Sequence, residues 1–285
     1  MSNNIAIVTD STNDIPLELR QKYNIYVVPL TIYWGDKQYL DGADISPQEF
    51  YEKLTINEPL PTTSQPAPAE FLHIFEKARS DGANEIIAVV ISSAMSGTIG
   101  SARTAAESFD LPVHIVDSKS NSMSLGWQVL AAARERENGG NVEQIMEACE
   151  KVRRNLHYHI ILESLDYLFQ GGRIAGAARL LSGVMKIKPQ IRVNHDLGTV
   201  EPGPISRTRS QAIEKLYESF FRMVDTTKPL HITVLHNAAL EEAEKLATRV
   251  KEEFHPVELI VSIVSPVLGV HTGPQALALC GYSEE

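Results

Sequence analysis

The sequence has little cysteine, no excess of basic residues and no long apolar run, and each shortage removes a class of protein. Cys149 and Cys280 are the only thiols among 285 residues, so neither a disulfide framework nor a cysteine-based zinc site is expected. Acidic residues outnumber basic ones, 36 to 26, for a formal net charge of −10. A general nucleic-acid binder needs the opposite balance. No apolar stretch approaches the ~20 residues of a membrane-spanning helix. The opening MSNNIAIVTDST runs straight into a strand pattern without a signal-peptide layout, so a cytoplasmic location is expected. Three motifs are also missing: GxxxxGK[ST], GxGxxG and GxSxG. Their absence removes the P-loop, the dinucleotide turn and the hydrolase nucleophile elbow.

What remains is an ordinary globular composition, 43% hydrophobic and 22% charged, in a chain long enough for one large or two medium domains. Residues 5–9, 25–32, 86–91 and 113–116 are short β-branched runs, and helical patterns cover 46–54, 67–79, 99–108, 124–137 and 141–155. Apolar strands alternating with helices predict a mostly parallel sheet covered on both faces. The predicted architecture is α/β: a three-layer α/β/α domain over residues 1–156, then a smaller α+β domain over 157–285. In the second half, HYHIILES reads as a strand and GGRIAGAARLLSGVMKIK as a glycine-opened helix ending in basic residues. IRVNHDLGTVEPGPI reads as a hairpin about Asp196–Gly198, and RTRSQAIEKLYESFFRMV as an amphipathic helix. Strand HITVLHN, helix LEEAEKLATRVKEEF and strand LIVSIVSPVLG follow, while the proline-rich EPLPTTSQPAP (58–68) reads as a loop.

Four stretches carry chemistry-capable residues, and each has a plainer explanation. Thr62, Thr63 and Ser64 lie between prolines before a helix, where they serve either a ligand or an N-cap. Ser92, Ser93, Ser96, Gly97 and Thr98 follow a buried strand and precede a helix. That arrangement suits an anion, since free N–H groups and the helix dipole favour negative charge, but capping needs some of the same residues. His271, between Val270 and Thr272-Gly273, follows an apolar run, as either an oriented hydrogen-bond partner or a structural histidine. Gly171-Gly172-Arg173 opens a basic region that continues to Arg207 and Arg209, either a partner-facing patch or a solvated face. His157 and His159 share one side of a strand, but without a third ligand no metal is expected. Asp10 ends the first strand with no glycine turn beside it, which leaves its role open.

Taken together, these motifs resemble the DegV family of fatty-acid-binding proteins. The resemblance is carried by VTDST (8–12), VVPLTI (27–32), DGADISPQEFYEKL (41–54), TTSQPAPAEF (62–71) and ISSAMSGTIGSA (91–102). It continues through VDSKSNSMSLGWQV (116–129), LDYLFQGGRIAGAARLLSGVMKIKPQI (165–191), RTRSQAI (207–213) and SPVLGVHTGP (265–274). It implies a two-domain protein that buries one long-chain fatty acid, with the carboxylate on Thr63, Ser96 and His271. Thr62, Ser64, Ser93 and Gly97 are neighbouring candidates. It also implies no cofactor and no catalysis by the chain itself. A separate, dihydroxyacetone-kinase-like fatty acid kinase would act on the presented acyl group, with Arg173, Arg207 and Arg209 facing that partner. Two departures touch pocket shape: Ile99 takes an aromatic position, and Gln275 and Ala276 take places of small residues.

The physics is compatible with that expectation. A sixteen-carbon chain at about 0.8 kcal/mol per CH₂ offers roughly 12 kcal/mol before entropic losses. The buried carboxylate is the costly part and must be hydrogen-bonded; two hydroxyls, an imidazole and backbone N–H groups supply donors. A hydrolase using Ser96 and His271, and a lipid sensor without a kinase, are the alternatives.

Overall fold

The protein is described by a computed structural model over residues 4–54, 59–173 and 187–285. The first strand, β1 (Ile5–Asp10), is buried at every position. It leads through a 3₁₀ turn, Ser11–Asn13, and helix α1 (Leu17–Lys22) to β2 (Ile25–Val28). The run 25–32, predicted as one strand, breaks at Pro29, which has no N–H to continue the ladder. The chain then enters β3 (Thr31–Trp34) and β4 (Lys37–Leu40), followed by α2 (Pro47–Leu54). Within the predicted loop 58–68 lies a short strand, β5 (Thr62–Ser64), which pairs antiparallel with β3 and sets Thr63 opposite Ile32.

Helix α3 (Pro68–Ser80), β6 (Glu85–Val90), α4 (Thr98–Glu107), β7 (Val113–Asp117), α5 (Ser122–Glu137) and α6 (Val142–Asn155) complete the first half. Its parallel sheet has the order β2-β1-β6-β7, and β3, β4 and β5 form a separate three-stranded sheet. Alternation along the parallel strands explains the layering. Ala6, Val8, Ile86, Ala88 and Val90 pack with Phe71 and Phe75 of α3 and Ala102 of α4. Ile5, Ile7, Ile87 and Val89 point the other way, into the core that holds Trp127 and Leu130 of α5.

The second half begins with β8 (His157–Ile161) and α7 (Asp166–Gln170), then β9 (Lys188–Asn194), β10 (Thr199–Ser206), α8 (Arg209–Phe221) and β11 (Leu230–His236). It ends with α9 (Leu240–Phe254), β12 (Glu258–Ile263), α10 (Pro266–Thr272) and β13 (Leu277–Ser283). The predicted hairpin is β9–β10, turned at Gly198 with φ +70°. The strand expected to run through SPVLG stops at Ile263, because Pro266 opens α10 instead. The basic helix expected after Gly172 falls, from 174 to 186, outside the described residues.

All six strands from β8 onward form one mixed sheet, order β10-β9-β8-β13-β11-β12. One face, with Ile232, Val234, Leu277 and Leu279, is covered by Leu216 and Phe220 of α8 and Leu246 of α9. The other face, with Tyr158, Ile160, Ile191, Val193, Leu235, Ala278 and Cys280, joins the core that also holds α5. The two large sheets therefore enclose one shared apolar layer. Fully buried Trp127 and Phe50 stabilise it by roughly 1.5–3 kcal/mol each. No helix among the described residues is long and apolar enough to cross a membrane.

Candidate functional site

Part of that shared layer is unfilled. A cavity of about 440 Å³ lies against the inner face of the six-stranded sheet, within the ~300–1,000 Å³ usual for small-molecule sites. Tyr158, Ile160, Ile191, Val193, Val200, Leu235 and Ala278 form one wall, and Leu30, Ile91, Met95, Val267 and Leu268 line it from other elements. The polar lining residues include Thr63, Ser64, Gln65, Ser96, Asn121, Arg173, Asn237, His271 and Thr272.

Their hydrogen bonds show that most of these groups adjoin one another. Thr63 Oγ1 lies 2.9 Å from His271 Nε2, joining β5 to the end of α10. Asn121 Nδ2 contacts Met95 Sδ at 3.4 Å, and Arg173 Nε donates to Met95 O at 3.4 Å, so both flank the residue before Ser96. Ser96 Oγ is 2.8 Å from Thr98 Oγ1 and accepts from Thr98 N at 3.3 Å. Gly97 is the N-cap of α4, and a Cβ there would collide with the Gln65 side chain. A Cβ at Gly171 would likewise collide with His271 Nδ1. The glycines of the SGT and GGR motifs are thus places where two segments of the site meet.

His271 is held neutral at physiological pH, its pKa lowered to about 4 by burial first and by the Arg173 charge second. Its Nδ1 is buried without a hydrogen-bond partner among the described residues. Arg173 itself is exposed, donates Nη1 to Gly171 O at 2.8 Å, and pairs with no carboxylate among the described residues. A neutral imidazole, hydroxyls, amides and a guanidinium with no carboxylate partner among the described residues make a donor-rich cluster. Donors of this kind suit an anion such as a carboxylate.

Helix α10, which carries His271, is anchored at its start by two carboxylates. Asp14 Oδ1 accepts from Ser265 N at 2.9 Å, and Asp41 Oδ1 accepts from Val267 N at 3.2 Å. Burial raises their pKa values to about 6 and about 7, and for Asp41 the neighbouring Asp14 and Asp10 add to the effect.

The other expected positions fall outside the cavity. Thr62 is exposed on β5, and Ser93 bonds the Asp117 carboxylate through N and Oγ at 3.2 and 2.5 Å. Arg207 is exposed beyond β10, and Arg209 is ion-paired with Glu242 at 2.6 Å. Of the three basic residues expected to face a partner, only Arg173 lines the cavity. The capping explanations do not hold either: the N-cap residue is Ala67 for α3 and Gly97 for α4, each without a side-chain cap bond. Asp10 ties β1 to β6, accepting from Ile91 N at 2.7 Å and from Thr12 N and Oγ1. His159 bonds Ser219 at 3.1 Å, and no cluster of three metal-ligating side chains exists among the described residues. Gln65 and Thr272 lay within stretches singled out in the sequence but were given no role, and Asn121 and Asn237 were passed over. Gln65 sits inside the TTSQP motif and was within reach, whereas Asn237 carries no local signal.

Fold and site together define a class: an α/β protein whose two main sheets enclose an apolar cavity with a cluster of polar groups in its lining. The chain belongs to the DegV family, whose model, described as one of uncharacterised proteins, matches residues 4–284. A DegV domain-containing protein of Streptomyces coelicolor is 35% identical over 280 residues, 98% of each chain. A DegV family protein from Thermus thermophilus, described by its fatty acid binding, superposes with a TM-score of 0.91 at 30% identity, covering 98% of this chain and 99% of that one. DegV of Bacillus subtilis, described as a fatty acid binding protein, gives 0.90 at 29% identity over 99% and 100%.

Proposed function

We propose that this chain binds one long-chain fatty acid between two lobes that divide near residue 156, and that in the cytoplasm it presents the carboxylate to a separate fatty acid kinase. The observation that carries the reading is the cavity itself: apolar walls on a sheet face, with Thr63, Ser96, His271 and Arg173 all in its lining. The fatty acid binding described for the Thermus and Bacillus relatives supports it. The acyl chain gains from leaving water in proportion to the area it buries, while the carboxylate replaces its hydration with donors from the site. The chain acts as a carrier, and a kinase binds ATP and transfers its γ-phosphoryl group to the carboxylate, leaving ADP.

A hydrolase is the less favoured reading. Ser96 Oγ is bonded to Thr98 and His271 Nε2 to Thr63, and no carboxylate among the described residues orients His271 Nδ1. The nucleophile–base–acid relay of such enzymes has no counterpart in those bonds.

The carrier reading is tested by titrating delipidated protein with palmitate and by adding a dihydroxyacetone-kinase-like kinase and ATP to the loaded protein. Palmitate is expected to bind, and palmitoyl phosphate to form only when all components are present. Arg173→Ala should weaken palmitate binding only a few-fold, as an exposed charge contributes about 1 kcal/mol or less, yet reduce acyl-phosphate formation more strongly. Ester turnover by the protein alone would overturn the carrier reading in favour of the hydrolase.

A further inference from the structure

We propose that Asn237 is the positioning residue of the carboxylate site, its side-chain amide clamping the turn after α10 so that His271 meets both Thr63 and the ligand. The proposal rests on the fatty-acid reading above. Asn237 stands just beyond β11, is 1% exposed, and lines the cavity. Its Nδ2 donates to Thr272 Oγ1 at 2.8 Å and to Gly273 O at 2.6 Å. Its backbone closes the same turn from the other side: N donates to Ala276 O at 2.9 Å, and O accepts from Gln275 N at 2.7 Å. One residue thus holds the chain at 272, 273, 275 and 276.

This turn needs holding. Gly273 and Gln275 both lie in the left-handed region, at φ +70° and +61°, and for glutamine that conformation is costly unless its surroundings enforce it. Helix α10 has seven residues, too few to sustain itself. Its start is fixed by Asp14 and Asp41, and its end by Asn237. His271, the residue before Thr272, has one ring nitrogen on Thr63 and the other packed against Gly171 without a partner among the described residues. With so few bonds of its own, the ring takes its place from the backbone that carries it. The primary amide offers two N–H groups from one atom, here to a hydroxyl and a carbonyl; leucine has about the same shape and neither donor.

The test compares wild type, Asn237→Leu and Thr272→Val for binding of palmitate and of the corresponding alcohol, together with the His271 ring signals by NMR without ligand. For Asn237→Leu, palmitate should bind about tenfold more weakly, as for loss of one to two buried hydrogen bonds. The alcohol should bind unchanged, and the His271 signals should shift. Thr272→Val removes one of the two acceptors, so the same pattern is expected at smaller size. It decides the matter should Asn237→Leu not fold. Equal loss for acid and alcohol, or an unchanged acid-to-alcohol ratio in the folded variants, overturns the proposal. Wild type that prefers neither ligand overturns the carboxylate reading itself, and this proposal with it.

Discussion

The two large sheets serve the cavity in different ways. The parallel sheet contributes through its ends: the loop after β6 carries Ser96, and the segment after β7 leads to Asn121. The six-stranded sheet contributes through its face, with Tyr158, Ile160, Ile191, Val193, Val200 and Ala278 spread over four strands. Ends of parallel strands gather polar loops where backbone donors are free, which suits a charged group. A sheet face offers every second side chain and no free backbone, which suits a hydrocarbon. On the proposed reading the parallel sheet's ends bring Ser96 and Asn121 to the head of the ligand, beside Thr63 of β5 and His271 of α10, and the face of the six-stranded sheet holds the tail.

Four variants separate what the two sheets contribute. The largest effect is expected from Ala278→Trp, which puts a ring into the tail region from the centre of the six-stranded sheet. Displacing about four methylenes costs about 3 kcal/mol, roughly two decades in affinity for palmitate, by titration calorimetry. Octanoate, if it leaves the far part of the cavity empty, should be spared. His271→Ala, at the head, should cost about 2 kcal/mol with palmitate and nothing with the corresponding alcohol. If both variants weaken both ligands equally, head and tail are not separate regions. Arg173→Ala, described above, comes third, and its small effect on binding should fade with added salt.

The smallest effect concerns stability. The folded-state pKa of Asp41 is raised from 3.8 to about 7. Its favourable contribution is therefore complete below the unfolded-state pKa and is lost as pH rises through about 7. Asparagine keeps an acceptor for Val267 N and never ionises. Asp41→Asn should raise the melting temperature at pH 8 and leave it unchanged at pH 4; the reverse order would show that the ionised carboxylate holds α10.

Much of the cavity's polar lining was legible in the sequence, and little of its apolar wall. Thr63, Ser96 and His271 stand in short runs of hydroxyls, glycines and prolines, where local chemistry departs from that of a plain strand or helix. The wall is made of isoleucines, valines and one alanine, which look the same whether they line a cavity or fill a core. β13, the strand that carries Ala278, was not predicted, because a terminal run of small residues has weak strand propensity and gains its place from pairing with β8 and β11. β5 was read as loop for a related reason: three polar residues become a strand only when β3 lies beside them. Arg209 is paired with Glu242 of α9, a partner that no local pattern in the sequence announces.

Native mass spectrometry of the purified protein against its denatured mass, with lipid extraction of the same sample, decides whether a fatty acid fills the space between the sheets. One adduct per chain is expected, of the mass of a long-chain fatty acid, lost on denaturation and recovered in the extract. Protein that carries no such adduct, and that takes up no palmitate after delipidation, would contradict the fatty-acid reading.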